Sequence, residues 1–588
     1  YEGTLTSLAY ISSVASLWRF PEMLLKHGGF FVIQYTIGYL AVGMPLLYAE
    51  IAIGQYTSCN HYGVFNHIAP ILKGLGSCMT FILLVRSCVM SVLQSTTIAF
   101  LLATFHGHQY SEGKTTCLGE NHSPLCFNFN MLTGCMKNAT TNVRECSKLE
   151  SVSLLSGAIQ LRRTPFFDHI LTEFTVLPQE TSEFTWPHHL FFLSLFFVWI
   201  AIGIICFLGI RALAKLSYLL VIPVLSFIFF TIFGMATFVK ISDSSTSFTA
   251  FSPRTLGDEL SSFHEVLTDA VSLVIFSLNL GNGGFIKLAS HNNFGHTFTR
   301  DVGIISVYGY LFNYLTTLTI LPFAYFLSSK LYGNNATAAM HLWIDHGEFG
   351  LMNVVAEAMT SEYGDGALCA LYFIACFILE LESTSISMYV VYSTLLDRLS
   401  PHYSSFVTRI LLASVLSGSS FFICIFLITP GGIYAIKQLD RFFTIATMLI
   451  SLVQICTFMH VYGFRRFIIN VRTMTGGGGP VSTFWWISWI FFTPIVLLAA
   501  FIMECLYYSW DEITIGNVVL TTHLQNFSWF IFACCTMWFP AGAVYRLVWA
   551  VKYKEKKKKL LKSTGEWGPA DERAREDARF NERAMRVR

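Results

Sequence analysis

Phe276-Ser277-Leu278-Asn279-Leu280-Gly281-Asn282-Gly283-Gly284 is the stretch on which the fold turns. It lies inside an apolar run, Ser262–Ser290, long enough to cross a bilayer as helix, and it brings glycines and asparagines together in the middle of that run. Glycine in a helix interior costs ~1 kcal/mol relative to alanine, so the stretch is expected to unwind and to free backbone polar groups at mid-membrane depth. A second run, Leu5–Leu25, carries Ser12, Ser13, Ala15 and Ser16 just before Arg19-Phe20-Pro21. Close helix packing through small residues accounts for the serines and the alanine, but poorly for the asparagines.

The rest of the chain is membrane-spanning by composition. A mean hydropathy of +0.55 with 54% hydrophobic and 13% charged residues is too apolar for a soluble chain of 588 residues. Charge-free runs at 27–49, 87–105, 190–210, 216–239, 302–329, 410–436, 442–460, 483–503 and 523–545 join interrupted ones at 5–25, 262–290 and 367–394 to give about twelve spans. The two polar interruptions thus fall in the first and sixth spans, the pattern of an inverted-repeat transporter whose unwound segments bind ion and solute. A net charge of +2 excludes a nucleic-acid partner. Arg211, Lys215, Arg465, Arg466, Arg472 and the run Lys552–Lys562 fall in loops on one side, which the positive-inside rule makes cytoplasmic together with both termini. The opening residues show no basic stretch followed by a small-residue cleavage site, so no cleavable signal peptide is expected among them.

The organisation expected is a membrane domain over 1–551, a large extracellular loop at 105–188, a second at 330–365, and a basic cytoplasmic tail at 552–588. The tail alternates in charge without an apolar face and reads as a solvated or lipid-surface segment. The large loop holds Cys117, Cys126, Cys135 and Cys146, with Cys117–Cys126 the easiest bridge to close and free thiols the alternative. Sequons at Asn121, Asn138, Asn335 and Asn526 all fall on the outer side and mark glycosylation there.

Arg86, Lys287, Glu380 and Glu382 sit inside spans, where ionisable groups persist by pairing or by lining a wet cavity. If Glu380 reaches Arg86 or Lys287, an internal neutralising bridge is expected. Arg86 lies one helical turn before Met90 and shares its face.

Trp18-Arg19-Phe20-Pro21, His27-Gly28-Gly29, Gly43-Met44-Pro45, Glu50 to Gln55, the glycine stretch, Arg300-Asp301, Leu439-Asp440, Val461-Tyr462-Gly463, Met474-Thr475-Gly476, Phe492-Thr493-Pro494 and Trp567-Gly568-Pro569 stand in the order of landmarks of one family. The chain resembles the neurotransmitter:sodium symporter family, nearest in character to its amino-acid branch, and the resemblance covers nearly the whole chain. It implies an all-α polytopic membrane protein of twelve transmembrane helices, a LeuT-type pair of five-helix inverted repeats with helices one and six broken, and alternating access driven by sodium.

Carried over by resemblance, Ser13, Ala15, Arg86, Met90, Phe276, Asn279 and Gly281 would line the solute pocket, with Phe276 as an aromatic lid. Core packing is the other reading of Phe276. Arg19 and Asp440 match the extracellular gate, and Asp397 the cytoplasmic gate, whose usual basic partner would precede Tyr1. Ala9, Ser12, Leu379, Glu382 and Ser383 match the second sodium site. Ile11, Ser16 and Ser277 match the first, which departs from the family: Ser16 replaces an asparagine ligand, and Gly309 falls where span seven supplies another. A dehydrated cation needs several oxygens, so sodium is expected at the second site only. Glu382 could alternatively carry a proton. Arg86 would replace the first sodium as a fixed cation or hold a carboxylate bidentately; a salt bridge without a transport role is its other reading. Tyr35 matches an ion-binding position, while Leu273 and Asn313 replace residues of the chloride site and speak against chloride coupling.

Without an aspartate at Ser13, a cationic amine is disfavoured. The expected solute is a zwitterionic amino acid or osmolyte, its carboxylate placed against the free N–H groups of the broken first helix. The functional reading is a sodium- or proton-coupled symporter of an amino-acid-like solute in the plasma membrane, for which an accessory trafficking subunit would be compatible. The alternative is a transport-incompetent relative acting as partner, sensor or scaffold. An enzyme is not indicated: Gly476–Gly479 precedes proline rather than the lysine of a phosphate loop.

Overall fold

The structure, a computed structural model, describes residues 2–106, 189–241, 263–332, 340, 348–359, 366–399, 405–429, 432–476, 482–510, 514–515, 518–519, 522–553 and 560–587. The candidate disulfide Cys117–Cys126 and the sequons at Asn121, Asn138 and Asn335 lie outside the described residues, whereas Asn526 falls within a helix, Thr522–Thr536.

Among the described residues, ten helices are long and apolar enough to cross a membrane. Two more apolar runs, the first and the sixth in chain order, are each divided into two shorter helices. The first consists of α1 (Glu2–Ile11) and α2 (Ser16–His27). The sixth consists of α10 (Phe263–Ser277) and α11 (Gly284–Ala289). Between α2 and α10 lie α3 (Phe30–Gly38) continued by α4 (Met44–Thr57), the short α5 (His61–Ile68), α6 (Lys73–His106), α7 (His189–Leu208), α8 (Ile210–Leu216) and α9 (Val221–Ile241). After α11 come α12 (Phe298–Tyr332), α13 (Glu348–Ala358), α14 (Gly366–Arg398), α15 (Phe406–Leu427), α16 (Gly432–Cys456), α17 (Phe464–Met474), α18 (Thr483–Ile487) and α19 (Thr493–Trp510). A two-residue antiparallel pair, Thr514–Ile515 with Val518–Val519, precedes α20 (Thr522–Thr536) and α21 (Trp538–Lys552).

Burial separates core from periphery. The third and tenth passages are largely buried, while the fourth, fifth, ninth, eleventh and twelfth present most of their length outward. Their outward side chains, including Phe197, Leu225, Ile232, Phe426, Ile495 and Val548, are exposed large hydrophobics, as lipid contact requires. The split passages sit in the core against each other: α2 packs on α10 and α1 on α11. α1 also packs on α14, which runs beside α6. The two breaks, α6 and α14 therefore enclose one polar centre.

The tail departs from the expectation of a solvated or lipid-surface segment. Helix α22 (Glu572–Val587) docks on α17, with Ala578 buried between them. Ahead of it the Trp567 ring packs on Tyr462 (5.0 Å) and Tyr56 (5.8 Å). Glu582 accepts from the Tyr462 hydroxyl (2.9 Å) and from Asn470 (3.0 Å). The alternating charge concealed these few anchoring positions.

Candidate functional site

The sixth-helix break is made by backbone conformation. Asn279 (φ 55°), Gly281 (φ 74°) and Gly283 (φ 74°) are left-handed, which stops α10 and lets α11 restart. The buried carboxylate of Glu50 on α4 accepts from the Gly281 N–H at 2.8 Å and from Gln454 Nε2 at 2.9 Å, so the freed amide is satisfied. Sequence reading had Glu50 only as a landmark, and its role shows once α4 is packed on α11.

The first break is built differently. The Ser12 hydroxyl donates to Leu8 O (2.8 Å), a local alternative to the helical ladder where α1 ends. In an unbroken helix the Val14 N–H would donate to Tyr10 O. Here that oxygen accepts from Asn279 Nδ2 and from Ser383 Oγ, each at 3.1 Å. The Val14 N–H instead donates to Glu380 Oε2 (3.2 Å), and the Ala15 N–H to Ser13 Oγ (3.2 Å). This corrects the expectation that these N–H groups are free for a solute's carboxylate.

Ser13, Arg86, Ser87, Met90, Asn279, Ser383, Thr384 and Ser387 line a cavity of about 10 Å³, room for roughly one water. Ala15, Phe276 and Gly281 are not among its lining. Arg86 Nη2 donates to Phe276 O at 3.4 Å, and its guanidinium stands 4.3 Å from the centre of the Phe276 ring. The Arg19 guanidinium stands 3.6 Å from the centre of the same ring. Two guanidinium groups thus lie over the Phe276 ring, each attracted by its π-system. A guanidinium on a carbonyl at the C-terminal end of α10 also meets the negative end of that helix's dipole.

Each acid expected to act as a gate carries an ion pair. Arg19 pairs with Asp440. Asp397 accepts from Lys287 Nζ (3.0 Å) and Asn60 Nδ2 (2.8 Å), so a basic partner for this acid comes from α11 within the described residues. Lys287 therefore does not bridge Glu380. No direct ion pair joins Glu380 to Arg86 either, so the internal bridge considered for Glu380 is not formed.

At the second sodium position, Glu382 is buried and neither of its carboxylate oxygens has a hydrogen-bond partner. Ser383 donates to Tyr10 O, and the Ser12 hydroxyl meets Tyr308 at 2.8 Å. Two orphaned oxygens on a buried carboxylate are a donor set that a hard cation would satisfy, with Glu382 as its charged ligand. At the first position, a Cβ on Gly309 would lie 3.0 Å from the Ile11 Cδ1 methyl and 3.1 Å from Leu278 Cδ2. The space of a span-seven ligand is thus taken by two apolar side chains together with the Tyr39 hydroxyl, 3.1 Å from the same Cβ, and Ser277 Oγ turns back to Val274 O at 3.3 Å. Ser16 offers its carbonyl to Thr316 Oγ1 at 3.1 Å. Asn313 Nδ2 donates to the Tyr35 hydroxyl at 2.8 Å, and Leu273 is buried on α10.

Residues 2–550 match the sodium:neurotransmitter symporter family. The chain belongs to that family. As a symporter-family member it is a polytopic transport protein and not an enzyme. It is 24% identical to the sodium- and chloride-dependent glycine transporter 2 of Xenopus laevis, over 96% of this chain and 71% of the relative. It is 23% identical to the sodium-dependent nutrient amino acid transporter 1 of Drosophila grimshawi, over 98% and 86% respectively. The sodium- and chloride-dependent neutral and basic amino acid transporter B(0+) of Homo sapiens is 23% identical, over 93% and 84%.

Proposed function

We propose that this symporter-family chain is a secondary active transporter that couples sodium to the movement of a small polar solute, amino-acid-sized as in its relatives. It works by alternating access in the plasma membrane with both termini cytoplasmic, on twelve spans arranged as two inverted repeats. The observation that carries the coupling is Glu382, a buried carboxylate with two unpartnered oxygens beside the first-helix break. Sodium there would be held by Glu382 and Ser383, with Leu379 and the carbonyls of Ala9 and Ser12 available on the facing segments. Bound, it would tie α1 to α14 and so couple the gating helices to the ion.

The first sodium site is not used, and Arg86 supplies a fixed positive charge at the end of α10 in its place. Chloride is not needed where the Tyr35 hydroxyl is bonded directly to Asn313. The paired gates and the one-water cavity describe an occluded form with neither face open.

The test is sodium-dependent stability of the purified full-length protein in detergent. Replacing choline by sodium is expected to raise the unfolding midpoint by about 2 °C or more, and Glu382→Gln to abolish that rise while staying folded. A midpoint indifferent to sodium would refute the coupling. The small cavity favours one second reading, a transport-incompetent relative kept for a binding role. Uptake of no solute by a sodium-responsive protein would establish it.

A further inference from the structure

The broken first helix exposes the N–H groups of Val14 and Ala15 at the start of α2, where the helix dipole favours negative charge. Both are taken by this chain's own side chains. Glu380 reaches across from α14, fully buried, and its Oε2 accepts the Val14 N–H at 3.2 Å. Its Oε1 faces the Thr384 hydroxyl at 3.4 Å, and the Ser13 hydroxyl lies beside it. Ser13 Oγ in turn accepts the Ala15 N–H. An anion seat beside the cavity, reached through its lining residues Ser13 and Thr384, is thus occupied by a carboxylate that is part of the protein.

We propose that Glu380 is a tethered carboxylate that fills the anion seat of the broken first helix and restricts the pocket to small, uncharged polar solutes that carry no carboxylate. This assignment rests on the symporter reading for its meaning, since it concerns the pocket that reading uses. A solute carboxylate could enter the seat only by displacing Glu380, leaving a buried charge without its donors and two carboxylates side by side. Arg86 does not provide a second seat of the same kind. It already donates to Phe276 O, lies against the Phe276 ring, and is the positive charge that balances Glu380 across the cavity. A cationic solute would meet that guanidinium. What remains around the cavity is neutral: the hydroxyls of Ser13, Ser87, Ser383, Thr384 and Ser387 and the amide of Asn279. Such groups bind amides and alcohols by hydrogen bonding.

Acetate and acetamide have nearly the same shape and differ in the carboxylate, so they are the probes. In the purified full-length wild type, millimolar acetate or glycine is expected to leave the unfolding midpoint unchanged. Glu380→Gly is expected to lower the midpoint and to create a vacancy that acetate or glycine fills, raising it again by about 2 °C or more, with acetamide ineffective. Glu380→Gln keeps the side-chain volume and an acceptor for the Val14 N–H, and is expected to ignore acetate. Stabilisation of the wild type by glycine, saturable uptake of any amino acid by the wild type, or a folded Glu380→Gly indifferent to acetate would each overturn the proposal. So would an acetate response in Glu380→Gln, which also covers the case in which the glycine variant does not fold. The sodium response of the wild type is read in the same samples. Its absence with the acetate pattern intact refutes the coupling alone, and the reverse result refutes the tethered carboxylate alone.

Discussion

The two interrupted helices solve the same problem by different means. In the sixth passage the break is written into the backbone, with Asn279, Gly281 and Gly283 in left-handed conformations and the Gly281 N–H received by Glu50. In the first passage no residue of the break has a positive φ, and its N–H groups are satisfied by side chains, Glu380 and Ser13. A backbone-made break cannot be re-tuned without losing the fold. A side-chain-made break can change its chemistry one residue at a time. On the proposed reading, the specificity of this pocket resides in the first break, and the sixth provides the frame.

The sharpest way to break that comparison is Gly281→Ala. The new side chain would need a left-handed φ, and its Cβ would fall inside van der Waals contact of the Ser451 hydroxyl, with Thr447 Cγ2 at 3.0 Å. Backbone strain of ~1–2 kcal/mol and overpacking of ~1–3 kcal/mol add to a loss of about 2–5 kcal/mol. The expected outcome is little monodisperse protein by fluorescence-detected size exclusion. A variant that elutes and melts like the wild type would show that the sixth break does not depend on glycine.

What was legible in the sequence follows the same division. The Gly281–Gly284 cluster announced its break because glycine acts locally, and Arg86 could be placed on the Met90 face by helical spacing alone. The partners of the buried charges could not be read. Glu380 meets Val14 across 366 residues and Lys287 meets Asp397 across 110, so each pairing depends on how α1, α11 and α14 pack. The same applies to Ile11 and Leu278 closing over Gly309: replacement of a ligand is visible in a sequence, but what fills the space is not. The tail was misread because Trp567 and Ala578 are single apolar positions in a charged segment, and their burial depends on the surface offered by Tyr56, Tyr462 and α17.

A smaller effect sharpens the comparison from the other side. Ser13→Ala removes the acceptor of the Ala15 N–H without altering any backbone conformation, and is expected to cost about 1 kcal/mol. Measured as a shift in the unfolding midpoint, that change should be well below the loss in Gly281→Ala. A collapse of folding in Ser13→Ala would mean that the first break is as rigidly determined as the sixth.

The smallest effect is expected at the residue that touches both breaks. Tyr10 closes α1 with its ring edge-on to Phe285 on α11, centroids 5.2 Å apart, and its hydroxyl reaches Asn279 O at 3.5 Å. That distance is at the limit of hydrogen bonding, so Tyr10→Phe should change the unfolding midpoint by less than the equivalent of ~1 kcal/mol. The same hydroxyl is the nearest atom to a Cβ built on Gly284, so removing it in Tyr10→Phe tests whether it alone excludes Gly284→Ala. It does not, because ring carbons Cζ and Cε1 of the same side chain lie almost as close to that Cβ. The double variant is therefore expected to be as damaged as Gly284→Ala alone. Recovery of its melt would mean that the two passages are coupled through one hydroxyl, whereas persistence of the defect places the coupling in the packing of the Tyr10 ring against the backbone of α11.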